Sequence, residues 1–227
     1  MIDLDRVIRY AEEKHKGQKR KNGQEYIIHP LRVAQRLQDA ECDDNTVVAG
    51  VFHDLLEDTD ATEEEILALT NQTVLDAVKL VTKSKDVSSK EYINKILESP
   101  IAKAVKNADR IDNLVDAQMS ANRDFIKRYL QNTKEYYVGK FSNELDEEYK
   151  KLLEIADATF EYILDGSFHK ADSPVFRKIK DGKRAWVFNA TRREWVETDP
   201  YFWVELGDDA TSISEEEAYK LIGPYLK

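Results

Sequence analysis

The pair His53-Asp54 and the acidic residues after it carry the clearest chemical signal in the sequence. The pair lies near the end of the predicted third helix, TVVAGVFHDLLED, whose apolar character makes an imidazole and a carboxylate without partners costly to bury. Glu57 and Asp58 follow Asp54 at helical spacing, so these side chains should crowd one end of a helix surface. Carboxylates that lie so close favour a bound cation. Mixed imidazole and carboxylate ligands suit a divalent ion such as manganese, iron or zinc.

A metal ion held by His53 and Asp54 needs further ligands from other segments. His29 stands before a proline at the start of a predicted second helix, because proline suits the first helical turn. Asp109 lies in the stretch KNADRIDN, within a helix that a Ser-Pro pair should open. A lone histidine at a helix start or a lone aspartate in a helix usually has no such role. The prediction of a metal site therefore depends on the combination.

The elements around these residues are predicted to be helices. Apolar residues recur at helical spacing over residues 4–11, and Asn45 is a plausible cap for the apolar third helix. Capping-box patterns at Thr62 and Ser88 open two further helices. The pattern stays helical over residues 124–164. Its predicted core positions are Tyr129, Tyr136, Leu145, Leu152, Ile155 and Phe160.

The sequence changes character after Gly166. The segments VFRKIK and KRAWVFN, joined by Asp181-Gly182, predict a hairpin, and EWVET predicts a third strand. A capping box at Ser214, with Gly223 as a stop, predicts a short closing helix. The expected fold class is mainly α, with an all-helical bundle over residues 1–165 and a small β-rich C-terminal module over residues 166–227. Two roles are open for the aromatic residues of this module. They could form a surface that binds a protein partner, but aromatic residues in so small a unit more often form its core. They are Trp186, Trp195, Tyr201, Phe202 and Trp203.

The composition restricts the class of protein. Hydrophobic residues make up 41% and charged residues 34% of the 227 residues, which is typical of a folded globular chain. The net charge of −10 argues against nucleic-acid binding, so an anionic ligand must meet a local basic patch. No apolar run approaches the ~20 residues of a membrane span, and the N-terminus lacks a secretory signal. We therefore expect a cytoplasmic protein without a membrane partner. The single cysteine, Cys42, excludes an internal disulfide.

Four segments in a fixed order resemble a known family. The series RKNGQEYIIHP, FHDLLEDT, VTK and KNADRIDN is similar to the hydrolase domain of the RelA/SpoT family and its small stand-alone relatives, the (p)ppGpp hydrolases. The resemblance covers about residues 1–140. It implies an all-helical HD-domain bundle that binds one manganese ion. The implied reaction removes the 3′-pyrophosphate of guanosine tetra- or pentaphosphate, to give GDP or GTP and pyrophosphate.

The resemblance also implies roles for individual residues. The implied metal ligands are His29, His53, Asp54 and Asp109. The residues implied to position and activate water are Glu57 and Asp58, and those implied to contact the nucleotide are Arg20, Lys21 and Asn113. As a hypothesis, Lys106 and Arg110 add positive charge for the phosphates. His15 also matches the family pattern. Its implied role is either a functional one in the site or a structural one in the wall of the site.

Two departures from the family pattern leave the substrate open. The segment between Thr82-Lys83 and Lys106 is short, and Val115 stands where the family usually has an arginine. One alternative is therefore an HD phosphohydrolase that acts on another nucleotide. A second alternative, from a different class, is a catalytically inactive nucleotide sensor or protein-binding module. Retention of all four implied ligands and both acids favours an enzyme.

Overall fold

The structure is a computed structural model that describes residues 2–20, 23–120, 123–165, 175–180, 184–190, 194–198 and 210–223. The chain forms two compact units. The first, here called the helical unit, comprises Met1–Gln18, Glu25–Gln118 and Asn122–Leu152. The second, the sheet unit, comprises Lys19–Gln24, Met119–Ala121 and Leu153–Lys227. A domain boundary between residues 165 and 166 stays a prediction.

The helical unit is built from α-helices, as expected for a mainly α chain. They are α1 (Leu4–Lys14), α2 (Ile28–Asp39), α3 (Asp44–Phe52), α4 (Leu55–Asp58), α5 (Glu63–Leu69), α6 (Gln72–Val81), α7 (Ser89–Glu98), α8 (Pro100–Gln118), α9 (Arg123–Tyr136) and the greater part of α10 (Asn143–Asp157). Among the described residues, no helix combines the length and apolar character needed to cross a membrane.

Helix α3 lies at the centre of the helical unit. Every residue of this helix from Thr46 to Phe52 is buried, and the helix packs against α1, α2, α6 and α8. A Cβ atom added to Gly50 would lie 2.5 Å from Leu37 Cδ1, so glycine permits a close approach of α2 and α3. The nearly uniform apolar character of this segment predicted such a central position.

The predicted start and end of the third helix are wrong. Asp43, not Asn45, is the N-cap, and its carboxylate accepts a hydrogen bond from the Thr46 backbone at 2.8 Å. Asn45 instead lies in the first turn and accepts a hydrogen bond from Asn71 at 2.9 Å. The segment TVVAGVFHDLLED, predicted as one helix, forms parts of two helices, because α3 ends at Phe52 and α4 begins at Leu55. The pair His53-Asp54 therefore occupies the junction between two helices.

The other predicted helix starts agree with the structure. Thr62 forms a complete capping box at α5, and Ser88 accepts a hydrogen bond from the Glu91 backbone at α7. Helix α8 begins at Pro100 and runs through Asp109. Of the predicted core positions, Leu145, Leu152 and Ile155 are buried, whereas Tyr129, Tyr136 and Phe160 are half-buried.

The sheet unit contains a five-stranded antiparallel sheet in the order β4-β3-β2-β1-β5. Its elements are β1 (Phe160–Asp165), β2 (Val175–Ile179), β3 (Ala185–Asn189), β4 (Glu194–Thr198), β5 (Ala210–Ile213) and the closing helix α11 (Glu215–Ile222). The pairing of β2 with β3 confirms the hairpin, while its Asp181-Gly182 turn lies outside the described residues. The capping box at Ser214 and the stop at Gly223 are confirmed.

The prediction that helix continues to residue 164 is wrong, because α10 ends at Asp157 and β1 follows. Neither glycine nor proline separates the helix from the strand, so the sequence gives no local stop signal. Strand β1 pairs on both sides, with β2 and β5. Trp186 and Trp195 are buried in the core of this unit. This agrees with the prediction that the aromatic residues of the module form its core. Tyr201, Phe202 and Trp203 lie outside the described residues.

Candidate metal centre and active site

Three buried side chains from three helical segments converge in the helical unit. His29 comes from the first turn of α2, His53 from the C-cap of α3 and Asp109 from the middle of α8. One potential ligand atom from each lies within 4.8 Å of the other two. The Asp109 Oδ1 atom is 3.2 Å from His29 Nε2 and 3.8 Å from His53 Nε2. The cluster thus lies where α2, α3 and α8 pack against one another.

Asp54 adds a fourth potential ligand. Its Oδ2 atom lies 3.0 Å from His53 Nε2 and 3.6 Å from His29 Nε2. Its side chain is 18% exposed, so it borders solvent more than the other three. Ligand atoms bound at about 2.1 Å to one ion lie about 3.0 Å apart in octahedral and about 3.4 Å apart in tetrahedral coordination, which is close to these separations. The structure therefore brings together all four residues that the sequence predicts as metal ligands.

The hydrogen bonds of His53 test whether a cation fits here. The Nδ1 atom lies 2.8 Å from the Gly50 carbonyl, which can only accept, so Nδ1 carries the proton. The Nε2 atom then presents a lone pair, and it is buried without a hydrogen-bond partner. The nearby Asp54 oxygen is also an acceptor when ionised. A cation between these acceptors would satisfy both, so the residues fit a divalent metal ion.

His29 is oriented by a partner that the sequence analysis missed. Its Nδ1 atom lies 2.6 Å from Asp112 Oδ2, which leaves Nε2 to face the cluster. Arg32 in turn donates two hydrogen bonds to Asp112, at 2.7 and 2.9 Å, and one to Asp116 at 2.8 Å. Such carboxylate partners fix the ring of a metal-binding histidine and raise its basicity. The available signal was the position of Asp112 one helical turn after Asp109.

Nearby charges keep the cluster's carboxylates ionised. Burial alone would raise the pKa of Asp109, but the Lys106 ammonium, 2.7 Å from Oδ2, holds that pKa well below its usual range. Burial alone would lower the pKa of Lys106, and the Asp109 carboxylate raises it well above the usual value. Burial likewise raises the pKa of Asp54, whereas positive charge on His53, when its ring is protonated, lowers the pKa of Asp54. Asn113 donates a hydrogen bond to Asp109 Oδ1 and so helps to orient this carboxylate.

The two candidate catalytic acids lie on α4, directly after the His53-Asp54 junction. Both side chains are exposed. The Tyr26 hydroxyl lies 2.9 Å from Asp58 Oδ2 and 2.7 Å from Asp54 Oδ2, so one hydroxyl links an acid to a potential metal ligand. Burial, and then the Asp54 carboxylate, raise the pKa of Tyr26, which therefore keeps its proton. Glu57 Oε2 accepts a hydrogen bond from the Lys83 backbone at 3.2 Å.

Tyr26 was missed by the sequence analysis, although it lies within the segment RKNGQEYIIHP. His15 stacks on its ring, with centroids 4.9 Å apart. His15 Nδ1 lies 2.8 Å from Gln18 Oε1, and Gln18 Nε2 donates to the Asp58 carbonyl at 2.7 Å. These contacts place His15 behind the acidic turn, in the wall of the site.

The predicted substrate-binding residues do not all belong to the helical unit. Lys106 and Asn113 both contact Asp109 in the helical unit. Arg20 belongs to the sheet unit, where its backbone N–H donates to the Gln24 carbonyl at 2.8 Å. Lys21 lies outside the described residues. Contact with a nucleotide stays a prediction for all four residues.

Known proteins are similar to the helical part of this chain. The family model of the HD domain matches residues 8–138. A solved structure of a metazoan orthologue of SpoT, described as hydrolysing ppGpp, is 30% identical with a TM-score of 0.53. It covers 65% of this chain, and the match covers 94% of that protein.

Longer curated relatives are also similar. The guanosine-3′,5′-bis(diphosphate) 3′-pyrophosphohydrolase of Aquifex aeolicus is 32% identical over 85% of this chain, and that of Spiroplasma citri is 38% identical over 49%. A GTP pyrophosphokinase of Myxococcus xanthus is 31% identical over 80% of the chain. The matches cover 29%, 16% and 26% of these relatives, so the chain spans less than a third of their length. With the matched HD model, the chain belongs to the HD-domain family and is similar to the (p)ppGpp hydrolases within it.

Proposed function

We propose that this protein is a metal-dependent hydrolase that removes the 3′-pyrophosphate of (p)ppGpp, giving GDP or GTP and pyrophosphate. The observation that carries this proposal is the convergence of His29, His53, Asp54 and Asp109, with Asp58 linked to Asp54 through Tyr26. The names of two curated relatives and the described activity of the SpoT orthologue support the choice of substrate.

We propose manganese as the ion, held by the four clustered ligands. When bound, it would supply a Lewis acid that polarises the attacked phosphoryl group and lowers the pKa of water. Asp58 or Glu57 takes up one proton of the attacking water, since both exposed carboxylates lie on α4, directly after the His53-Asp54 junction. Tyr26 holds Asp58 near Asp54 during this transfer.

Water attacks the phosphorus that is bonded to the ribose 3′-oxygen. The bond from this phosphorus to the 3′-oxygen breaks, and the 3′-oxygen becomes a hydroxyl by gaining the proton that the carboxylate took from the water. The water oxygen remains in the released pyrophosphate. We propose that Arg20, Lys21, Lys106 and Asn113 contact the anionic substrate, because an acidic chain needs local positive charge for such a ligand.

The test is an assay of the purified full chain against a panel of nucleotides, with manganese and with a chelator. The panel contains ppGpp, pppGpp, GTP, a deoxynucleoside triphosphate and nucleoside monophosphates, and released pyrophosphate is measured separately from phosphate. We expect metal-dependent pyrophosphate release from ppGpp and pppGpp. Preferred hydrolysis of another nucleotide would favour the alternative phosphohydrolase. Nucleotide binding without turnover under any metal would favour the inactive sensor.

Two further statements stay predictions from the sequence. They are the cytoplasmic location and the binding of a protein partner through the C-terminal module. A nucleotide substrate is compatible with both, and neither is needed for the reaction.

A further inference from the structure

A cationic pocket lies beside Glu57 in the helical unit. Its volume is about 160 Å³. Residues that line it include Glu57, Lys83, Tyr92, Lys106, Arg110 and Tyr137. The pocket thus gathers three cations and one carboxylate in a chain whose net charge is −10. Such a local excess of positive charge indicates an anionic ligand.

Arg110 is held rigidly in the wall of this pocket. Its guanidinium carbon lies 3.8 Å from the ring centroid of Tyr137 and 4.6 Å from that of Tyr129. One Nη1–H donates a long hydrogen bond to Thr133 Oγ1 at 3.4 Å. The Nε atom is buried and has no hydrogen-bond partner. The rings therefore fix the guanidinium plane in the wall of the pocket, and its planar fork suits a phosphate group.

The other two cations connect the pocket to the reacting groups. Lys106 Nζ lies 2.7 Å from the Asp109 carboxylate and 5.8 Å from the ring centroid of Tyr92. The Lys83 backbone donates to Glu57, and its exposed side chain donates to Ser89 Oγ at 2.9 Å. An anion in the pocket would therefore lie next to one candidate acid and one potential metal ligand.

We infer that this pocket holds the outer phosphate of the substrate's 3′-diphosphate, the phosphate that is not attacked. The inference rests on the proposed function and specifies how its substrate is selected. A volume of about 160 Å³ leaves room for a phosphate group. Guanidinium and ammonium groups are the usual partners of phosphate oxygens.

The consequence is a preference for a 3′-diphosphate over a 3′-monophosphate. The outer phosphate stays bonded to the attacked phosphorus throughout and leaves with it as pyrophosphate. A substrate with a single 3′-phosphate would leave the pocket empty and lose these charge-assisted contacts. The cations of the pocket would therefore act on specificity without taking part in proton transfer.

The test compares Lys83→Ala with Lys85→Ala in the manganese-loaded full chain. Both lysines are exposed and both changes remove one positive charge, but Lys85 does not line the pocket. We expect Lys83→Ala to lower kcat/KM for ppGpp by about tenfold or more relative to Lys85→Ala, the usual scale for a charge-assisted hydrogen bond. For the analogue with a 3′-monophosphate, the two variants should be equal. Equal losses on both substrates, or no loss on either, would overturn the inference.

Binding of inorganic pyrophosphate gives a second readout that does not depend on turnover. Calorimetry on the same variants should show that Lys83→Ala weakens pyrophosphate binding more than orthophosphate binding, whereas Lys85→Ala changes neither. Arg110→Lys retains the charge but loses the planar fork, so it should act like Lys83→Ala. If circular dichroism shows that Arg110→Lys is unfolded, the result for Lys83→Ala alone tests the pocket assignment.

The two proposals fail in different ways. Pyrophosphate binding that depends on Lys83, in a protein that does not turn over ppGpp, would support the pocket and contradict the proposed function. Turnover of ppGpp without any dependence on Lys83 or Arg110 would support the function and overturn the pocket assignment.

Discussion

The helical unit and the sheet unit both bury a cation, but they stabilise it differently. In the helical unit, the Asp109 carboxylate lies 2.7 Å from Lys106 and raises the pKa of Lys106 well above its usual value. In the sheet unit, Arg177 is 1% exposed, and its guanidinium carbon lies 4.4 Å from the Trp195 ring and 5.0 Å from the Trp186 ring. Burial lowers the pKa of Arg177.

This difference shows that a buried charge does not by itself mark a functional site. The aromatic rings around Arg177 come from the core of the sheet unit and stabilise the cation through their faces. The helical unit instead gathers carboxylates and imidazole lone pairs that mutually repel unless a cation lies among them. Without a bound cation, the cluster in the helical unit lowers the free energy of unfolding. A cluster that is unfavourable without a ligand indicates a binding site.

The strongest test of this comparison removes one ligand from the cluster. Asp109→Asn should abolish both metal binding and turnover, because it removes a charged ligand and leaves Lys106 partly buried without its carboxylate partner. Elemental analysis measures the metal, and thermal unfolding with and without manganese should show a metal-induced rise only in the unsubstituted protein. The exposed Asp124→Asn is the control. Full metal occupancy in Asp109→Asn would contradict the ligand assignment.

The second test separates the acids from the ligands. The double variant Glu57→Gln with Asp58→Asn should keep its metal but lose turnover by about two orders of magnitude or more, the usual scale for acid and base groups. The exposed Asp86→Asn, in a nearby loop, should leave kcat unchanged. An unchanged kcat in the double variant would assign these acids to the scaffold.

The third test addresses the other side of the comparison. Arg177→Ala should lower the stability of the sheet unit by about 2–4 kcal/mol, because it leaves a cavity among aromatic rings. All three tryptophans of the chain fall in this unit, so tryptophan fluorescence during denaturation measures its unfolding. Lys178→Ala, on the same strand but in a more exposed ion pair, should cost less than about 1 kcal/mol. Loss of metal in Arg177→Ala would contradict a purely structural role.

The sequence predicted helix starts that are marked by capping residues better than it predicted boundaries without such residues. Thr62, Ser88 and Ser214 each sit directly before a helix, and their local hydrogen bonds need no tertiary contact. The junction at His53-Asp54 and the strand β1 were missed, because tertiary packing rather than a glycine or proline defines them. Strand β1, for example, is specified by its two neighbours in the sheet.

The same limit applies within the site. The types and order of His29, His53, Asp54 and Asp109 predicted that they would cluster, and the structure places them together. Asp112 could not be inferred in the same way, since its contact with His29 spans 83 residues and depends on how α2 packs on α8. Short-range spacing identifies ligands, whereas their supporting partners depend on the packed fold.

The smallest expected effect concerns such a partner. Tyr26→Phe removes the hydroxyl that lies between Asp54 and Asp58 but keeps the ring that stacks on His15. The four potential ligands are unchanged, so metal content should equal that of the unsubstituted protein. Asp58 loses the hydrogen bond that fixes its orientation, which should lower kcat by about tenfold, in line with a net hydrogen-bond contribution of about 1.5 kcal/mol. The KM for ppGpp should stay within about twofold, because the hydroxyl is not proposed to touch the substrate.

A matched control for this variant is Tyr10→Phe. Its hydroxyl also donates to a carboxylate, Glu65, at 2.9 Å, but neither residue belongs to the cluster or to α4. Equal kcat values in the two variants would show that Tyr26 contributes only to folding. A loss of metal from Tyr26→Phe would instead show that the hydroxyl holds Asp54 for the metal, rather than Asp58 for the proton. A fall in kcat with full metal content and an unchanged KM would identify Tyr26 as the residue that positions the candidate acid, a role that the spacing of the sequence does not reveal.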